Sequence, residues 1–214
     1  MKSYSQHGED LILKEYFKDK IGTFLDLGAN DGITLSNTYL FYELGWEGLM
    51  VEGSPYVFER LEKRFENEDR VQCLNVFLSD KEGLYDFYHN TNHHVNPNID
   101  RNNMDLLSTI DINSYQRAKD WGFFEKKEIF CHTFDKVVEL SKIKKYNLIS
   151  IDIEGMDYNV LSQINLEETE TECLIIEHND NISDKNKMIE YCSKFGLTNI
   201  LLDNGCNIIL AKNK

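Results

Sequence analysis

Short apolar stretches alternate with longer amphipathic stretches along most of this chain. The apolar stretches are rich in residues typical of buried strands, and the amphipathic ones repeat apolar residues at helical spacing. This alternation is typical of an α/β protein whose sheet is mainly parallel. The chain of 214 residues shows no internal repeat and no linker, and a single core of ordinary size is possible at this length. We therefore predict one domain over residues 1–214.

The predicted elements follow one another in order along the chain. Strands are predicted at 22–28, 47–53, 71–80, 82–90, 127–134, 146–155 and 171–180, helices at 6–19, 34–45, 55–67, 134–142, 157–164 and 184–196, and a closing hairpin at 197–212. Residues 89–127 interrupt the pattern because they are polar, asparagine-rich and poorly periodic. A long irregular insertion in a compact domain is usually functional, so we interpret this one as a substrate-binding insertion.

Charge and cysteine usage argue against several classes of protein. The chain carries 37 acidic and 23 basic residues, a net charge of −14, whereas non-specific binding to nucleic acid or an anionic membrane needs a basic surface. No apolar run is long enough to span a membrane, and the first ten residues lack the apolar core of a signal peptide. The five cysteines form no C-x-x-C pair, which indicates reduced thiols. We expect a cytoplasmic protein that binds neither nucleic acid nor membrane.

The stretch GTFLDLGANDG, residues 22–32, combines an apolar strand with an aspartate and two glycines. A carboxylate such as Asp26 is costly in an apolar strand unless something hydrogen-bonds to it. Glycines at a strand end, here Gly28 and Gly32, allow a sharp turn or the close approach of a ligand. Because ligands of parallel sheets bind outside the carboxyl ends of the strands, this turn predicts a small-molecule site.

The next predicted strand ends in Glu52, and its acidic side chain narrows the choice of ligand. A carboxylate there can accept hydrogen bonds from both hydroxyls of a ribose. The glycine spacing is G-x-x-x-G with Asn30 in the middle, so the dinucleotide pattern G-x-G-x-x-G is absent. A ribose site without a pyrophosphate loop suits S-adenosylmethionine better than NAD, and Asp26 could help to hold its ammonium group. Taken singly, each acid could equally be a strand-end cap or a surface carboxylate.

Five blocks of sequence resemble one family. In chain order they are YSQHGEDLIL, FLDLGANDGITLSNT, LGWEGLMVEGSP, NVFLSD and ISIDIEGMDYNVL, and they resemble the FkbM-type S-adenosylmethionine-dependent methyltransferases over residues 4–80 and 131–179. The resemblance implies the Rossmann-like fold of class I methyltransferases, a seven-stranded mainly parallel sheet with an antiparallel C-terminal hairpin. It also implies O-methylation of a hydroxyl, often on a sugar of a glycan or glycoconjugate.

The resemblance further implies a set of cofactor contacts. The methionine side of the cofactor would be lined by Asp26, Gly28, Asn30 and Gly32, and its carboxylate would contact Asn37 and Thr38. The ribose would be held by Glu52, and the adenine would lie beside Ser54, Ser79 and Asp80. Ser5 and Gln6 would close over the site from the N-terminal side. Ser5 also fits an N-cap of the first helix, and both roles are compatible.

A second group of polar residues follows two later strands. Asp152 and Glu154 alternate on a predicted strand and so face one side, and the neighbouring strand ends in Glu177 and His178. A sugar hydroxyl is too weakly acidic to attack a methyl group unaided, so a general base or a divalent metal is needed. Asp152, Glu177 and His178 could hold Mg²⁺ or Mn²⁺. Alternatively, His178 is the base and Asp152 or Glu154 orients it, or some of these acids only satisfy backbone donors.

The insertion carries histidines and aromatic residues that suit a sugar acceptor. His89, His93 and His94 lack the partners and spacing of a zinc site, and we interpret them as hydrogen-bonding groups for sugar hydroxyls. Aromatic faces for a sugar ring could come from Tyr115, Trp121 and Phe123, for which ordinary core packing is an equal alternative.

Three functions follow from these residues. The first is a sugar O-methyltransferase. The second is an NAD-dependent oxidoreductase on a similar sheet, against which the missing G-x-G-x-x-G counts. The third is a non-catalytic S-adenosylmethionine-binding module, against which the acids at 152, 154 and 177 count, because a pure binder needs no base at the methyl group.

Overall fold

A seven-stranded sheet forms the centre of the protein, which a computed structural model describes over residues 2–91 and 106–214. Its strands are β1 (Thr23–Leu27), β2 (Glu47–Glu52), β3 (Val71–Asn75), β6 (Leu148–Ile151), β7 (Cys173–Glu177), β8 (Leu197–Asp203) and β9 (Asn207–Lys212). Their order across the sheet is β3-β2-β1-β6-β7-β9-β8. The first five are parallel to one another, and β9 runs antiparallel to both β7 and β8. The predicted fold class is therefore confirmed.

The chain order of the strands reverses at β1, which lies between β2 and β6. At such a switch point the loops that follow the two neighbouring strands diverge and leave a crevice outside their carboxyl ends. The registers pair Leu27 of β1 with Val51 of β2 and with Ile151 of β6. The residues that follow these three positions are therefore brought to one edge of the sheet.

Seven helices are described, and the longer ones pack on the two faces of the sheet. They are α1 (Glu9–Phe17), α2 (Tyr39–Glu43), α3 (Pro55–Phe65), α4 (Ile112–Ala118), α5 (Phe134–Leu140), α6 (Asp157–Leu161) and α7 (Ile182–Ser193). In α3, proline occupies the first turn, where its missing N–H costs nothing, and Val57, Leu61 and Phe65 form one buried stripe. Because a parallel sheet is covered on both faces, two apolar clusters form, one around Ile149 and one around Trp46.

A separate two-stranded antiparallel sheet consists of β4 (Gly83–Asn90) and β5 (Phe124–Cys131). Both strands were expected from the sequence, but β5 begins earlier than predicted. The insertion expected to be irregular over 89–127 contains, in its described part, helix α4 and the first residues of β5. The side chain of Asp111 caps α4 by accepting a hydrogen bond from the Ser114 N–H, so this short polar helix begins with an ordinary signal.

Two strands of the central sheet end sooner than predicted, and both endings shape the site. β3 ends at Asn75, after which residues 77–79 pair with the backbone of His132 beyond β5. β6 ends at Ile151, and the chain then turns through positive φ angles at Glu154 and Gly155.

None of the helices within 2–91 and 106–214 has both the length and the apolar character required to cross a membrane.

Candidate active site

A cleft lies at the carboxyl ends of β1, β2 and β6, and it consists of two adjoining pockets. The large pocket has an empty volume of about 780 Å³, solvent at its mouth included. The small pocket lies on the side of α1 and β9. Gly28, Asn30, Leu106 and Asp152 line both pockets, so the two form one continuous cleft.

The turn after β1 forms the floor between the two pockets. Gly28 has a φ of 86°, and a Cβ built there would lie 1.7 Å from the carbonyl oxygen of Asp152. The N–H groups of Gly28 and Ala29 both donate to the carbonyl of Val51. Only glycine allows this close approach of the two backbones, and the approach holds the end of β1 against the residues that follow β6.

The Asp26 carboxylate lines the small pocket and is only 4% exposed. The hydroxyl of Thr38 donates a 2.5 Å hydrogen bond to it. Burial raises the pKa of Asp26 to about 6, although hydrogen bonds from Thr38 and Ser150 oppose the shift. The group is therefore mainly ionised at neutral pH, and it puts a negative charge where a ligand ammonium would be stabilised.

Other residues predicted for the methionine side also line the small pocket. Gln6 and Asn37 do so, and the Asn37 amide donates to the hydroxyl of Ser150. Thr38 does not line either pocket, and its role is to hold the Asp26 carboxylate.

The Glu52 carboxylate joins two loops at the edge of the large pocket. Its oxygens accept hydrogen bonds from the N–H groups of Asn30 and Ser54, at 2.9 and 2.8 Å. Two buried polar atoms beside it, Oδ1 of Asn30 and Oγ of Ser54, have no hydrogen-bond partner in the described parts of the chain. Buried polar atoms are normally satisfied, so both point to a polar ligand. Val57, Phe77, Leu78 and Phe87 supply apolar walls. This combination fits an adenosine group.

Three predicted cofactor residues lie elsewhere. Gly32 lines neither pocket, and a Cβ there would collide with Leu61 and Phe65 of α3, so this glycine serves helix packing. Ser79 is fully buried and Asp80 is exposed, and both are absent from the lining of the cleft. The physical reason is the early end of β3, which places Phe77 and Leu78 at the position expected for Ser79 and Asp80.

The Ser5 hydroxyl also turns away from the cleft. It accepts from the N–H of Asp10 at 3.2 Å and donates to the Asp10 carboxylate at 2.9 Å. Its side chain therefore stabilises the start of α1, as the capping alternative predicted, and it does not line either pocket.

A cluster of carboxylates borders the cleft at the ends of β6 and β7. Asp152, Asp157 and Glu177 each offer an oxygen, and these oxygens lie within 4.8 Å of one another. Asp157 also accepts from the N–H groups of Ile153 and Gly155, at 3.0 Å each. These two bonds hold the loop that follows β6, and that loop carries Glu154 beside Asp152. Asp152 and Glu154 line the large pocket.

Burial and mutual repulsion raise the pKa values throughout this cluster. Burial, followed by repulsion from Asp157 and Asp26, raises the pKa of Asp152 to about 7. Burial and then the charge of Asp152 raise the pKa values of Glu154 and Glu177 well above their ordinary range. The cluster is therefore suited to take up a proton or to hold a cation.

His178 is not part of the cluster, contrary to both predicted roles. Its side chain is fully buried, and its Nε2 lies 3.2 Å from an Asp203 carboxylate oxygen on the hairpin side. Consecutive residues of a strand point to opposite sides, so Glu177 and His178 cannot both face Asp152. Among the described residues, Asp157 takes the third position that the sequence assigned to His178.

Among the histidine and aromatic residues predicted to contact the acceptor, some pack inside the protein and others are exposed. His89 is buried and stacks on Tyr56 and Phe87, and Tyr115 stacks on Tyr88, so both take part in packing. Trp121 and Phe123 are 74% and 58% exposed. His93 and His94 lie outside the described residues.

Several site residues were missed from the sequence. Phe77, Phe87 and Asn207 line the cleft, but each sits in an apolar or hairpin stretch with no motif of its own. Asp157 had a usable signal, because an acid two residues after the Glu154-Gly155 turn can accept from the turn's backbone N–H groups.

Comparison with known proteins gives one family match. The family model described as Methyltransferase FkbM domain matches residues 26–197, which confirms the resemblance seen in the sequence. No curated protein matches the chain.

Two solved structures illustrate the fold that this chain shares. The ribosomal protein L11 methylase of Lactobacillus delbrueckii subsp. bulgaricus superposes with a TM-score of 0.52 at 13% identity, covering 96% of this chain and 78% of that one. The FkbM methyltransferase of Methylobacillus flagellatus KT gives a TM-score of 0.52 at 12% identity, covering 89% of this chain. The match spans 44% of that second protein. At such low identity these structures support the fold alone.

Proposed function

The chain belongs to the FkbM methyltransferase family and is a class I methyltransferase, and we propose that it methylates a sugar hydroxyl of a glycan or glycoconjugate. The observation that carries this proposal is the carboxylate cluster at the edge of the cleft. A hydroxyl acceptor needs help to lose its proton, and Asp152 and Glu154 line the pocket in which the acceptor would be held.

The cofactor residues divide between two ends of the cleft. In the large pocket, Glu52 and the side-chain oxygens of Asn30 and Ser54 would hold the ribose and adenine between apolar walls. In the small pocket, Asp26 would hold the ammonium group and Asn37 the carboxylate. S-adenosylmethionine, when bound, supplies a methyl group on a positively charged sulfur. The residues named here hold and orient both ends of it, which is what in-line transfer requires.

The acceptor hydroxyl would approach from the carboxylate side. Asp152 or Glu154 would accept the proton that the hydroxyl loses as its oxygen bonds to the methyl carbon. The bond between that carbon and the sulfonium sulfur would break in the same step, and S-adenosylhomocysteine would leave as a neutral thioether. Ser108 lines the same pocket, and because its hydroxyl only accepts from the N–H of Asn90, it can donate its proton to a neighbouring sugar group. The exposed Trp121 and Phe123 remain our candidates for a sugar-stacking surface.

A second form of the proposal uses a divalent cation. Asp152, Asp157 and Glu177 are three oxygen donors of the kind that Mg²⁺ and Mn²⁺ prefer, and their oxygens are close enough to share one ion. A cation there would relieve their repulsion and lower the pKa of a bound hydroxyl. The base and the metal forms share Asp152 but differ in their response to chelators.

The proposal is tested by mass spectrometry for the gain of one CH₂ group. Purified protein and S-adenosylmethionine are incubated with a panel of glycans and nucleotide sugars, with a protein and an RNA substrate included for comparison. We expect the unmodified protein to transfer the methyl group to a sugar hydroxyl and Asp152→Asn to lose this transfer. The control Asp80→Asn, which makes the same change in an exposed acid outside the cleft, should retain it. Transfer only to a nitrogen, a protein or RNA would refute the acceptor class.

The same panel distinguishes the remaining alternative. A non-catalytic module would bind S-adenosylhomocysteine in calorimetry, yet it would transfer nothing to any acceptor. The family match favours a methyltransferase over an NAD-dependent oxidoreductase, and calorimetry with NAD serves as the negative control.

A further inference from the structure

Two adjacent carboxylates at the start of α1 are fully buried. Glu9 and Asp10 are both 0% exposed, although acidic residues are rarely buried to this degree unless they are paired or hydrogen-bonded. They lie in the QHGED stretch, whose acids have no role in the function proposed above.

Asp10 fastens the N-terminal segment to α1. Its carboxylate accepts from the hydroxyls of Ser3 and Ser5, at 2.6 and 2.9 Å, and from the N–H of Tyr4, at 2.7 Å. The backbone of Ser5 in turn pairs with Leu35, in the loop before α2. These contacts hold the segment that places Gln6 in the lining of the small pocket.

Glu9 fastens the C-terminal hairpin instead. One oxygen accepts from the side-chain amides of Asn204 and Asn207, both at 3.1 Å, and the other accepts from the N–H of His7 at 2.7 Å. Burial opposes ionisation, but hydrogen bonds from backbone N–H groups and the two asparagines outweigh it and lower the pKa of Glu9. The side chain is therefore an ionised acceptor at neutral pH.

The hydrogen bond to Glu9 fixes the orientation of the Asn207 amide. A carboxylate can only accept, so the amide nitrogen of Asn207 faces Glu9 and the amide oxygen is directed away from it. Asn207 is buried and lines the small pocket together with Asp26. An amide oxygen and a carboxylate in one polar pocket form an acceptor pair for an ammonium group.

We propose that Glu9 is a positioning residue, which holds Asn207 so that its amide oxygen accepts a hydrogen bond from the α-ammonium group of the cofactor. This inference rests on the proposed function, since it assigns the amino-acid end of S-adenosylmethionine to the small pocket. If Glu9 served only to join α1 to the hairpin, its loss would lower the affinity for every ligand of the cleft equally.

The test compares two ligands that differ in the amino-acid end. S-adenosylhomocysteine carries the ammonium and carboxylate groups, whereas 5′-methylthioadenosine lacks both. For Glu9→Gln, calorimetry should show about a tenfold loss of affinity for S-adenosylhomocysteine and little change for 5′-methylthioadenosine. Glu15→Gln removes the same charge from an exposed position of the same helix and should change neither affinity. Asn207→Ala should reproduce the selective loss if Glu9→Gln fails to fold.

Three outcomes would overturn the proposal. Equal losses for both ligands would assign Glu9 a purely structural role. Unchanged affinity of the Glu9→Gln and Asn207→Ala variants for S-adenosylhomocysteine would show that Asn207 does not bind the ammonium group. If the unmodified protein binds 5′-methylthioadenosine but not S-adenosylhomocysteine, the small pocket does not hold the amino-acid end. Failure of the proposed function looks different, because the unmodified protein would then bind neither ligand or would bind both without methylating any acceptor.

Discussion

Asp26 affects both the stability of the fold and the binding of the ligand. Its carboxylate is buried in an apolar strand, which raises its pKa to about 6 even though the Thr38 hydroxyl donates a hydrogen bond to it. In the unfolded chain the group has an ordinary pKa of 3.8. The folded state therefore loses stability as the pH rises from the unfolded value through about 6, up to about 3 kcal/mol for this group. A bound ammonium group would offset that loss.

We expect the affinity for S-adenosylhomocysteine to rise with pH between 5 and 7. Below about pH 6 the free protein must first lose the proton of Asp26, so binding weakens as the pH falls. Calorimetry at several pH values measures the slope, and Asp26→Asn should flatten it and lower the affinity at pH 7.5. Equal slopes in the two proteins would assign the pH dependence to other groups of the cleft.

Glu52 combines a structural role with a binding role, and both can be measured. Its oxygens accept from the N–H groups of Asn30 and Ser54, so Glu52→Ala loosens both loops and removes the ribose acceptor. We expect at least a tenfold loss of affinity for S-adenosylhomocysteine, since hydrogen bonds to a charged acceptor contribute about 1.5–3 kcal/mol each. The chain should still fold, as judged by circular dichroism.

The matched control for Glu52 is Glu47→Ala at the opposite, exposed end of the same strand. It should leave the affinity unchanged. If both variants bind equally well, the ribose does not contact Glu52.

At the scale of elements, the turn after β1 depends on one close backbone approach. A Cβ at Gly28 would lie 1.7 Å from the carbonyl oxygen of Asp152, so Gly28→Ala must displace the end of β1 from the loop after β6. Gly196 has a similar φ of 81°, but no atom lies within 4 Å of its Cβ position. Its replacement by alanine measures the cost of backbone strain alone, of the order of 1–3 kcal/mol.

We expect Gly28→Ala to lower the free energy of unfolding more than Gly196→Ala does and to abolish cofactor binding. Gly196→Ala should keep its affinity for S-adenosylhomocysteine. Urea denaturation and calorimetry on the two variants provide the comparison. Equal destabilisation would mean that the loop after β6 yields easily to a side chain at position 28.

Strand ends explain which site residues could be predicted from the sequence. The turn after β1 and Glu52 at the end of β2 have clear sequence signals, and both line the cleft as expected. The apolar run of β3 gives no signal for its end, because Val76, Phe77 and Leu78 continue the pattern although the strand stops at Asn75. Of the residues that the resemblance places beside the adenine, Ser54 lines the pocket, whereas Ser79 and Asp80 lie beyond its lining.

At the scale of the whole molecule, the alternation of apolar and amphipathic stretches predicted a mainly parallel sheet, and the family resemblance implied its seven strands and antiparallel hairpin. The facing of single side chains does not follow from strand alternation once a strand has ended. Glu154 reaches the cleft only through a turn of positive φ after β6 has ended. His178 points to the hairpin because its neighbour Glu177 faces the cluster on the opposite side. Tertiary contacts decide such positions, and a single sequence contains little record of them.

The complete carboxylate cluster exists only in the folded molecule, because Glu177 at the end of β7 is distant in the chain from Asp152 and Asp157. An ion bound by all three therefore stabilises the folded state alone, by about 2.7 kcal/mol when its concentration is a hundred times its Kd.

After dialysis against EDTA, we expect Mg²⁺ or Mn²⁺ to raise the midpoint of thermal unfolding and to restore sugar methylation. Asp157→Asn should lose both effects, whereas Glu190→Gln, a change on the exposed side of α7, should keep them. Full activity in EDTA together with an unchanged midpoint would refute the metal and leave Asp152 or Glu154 as the general base, because either carboxylate could then accept the proton without a cation.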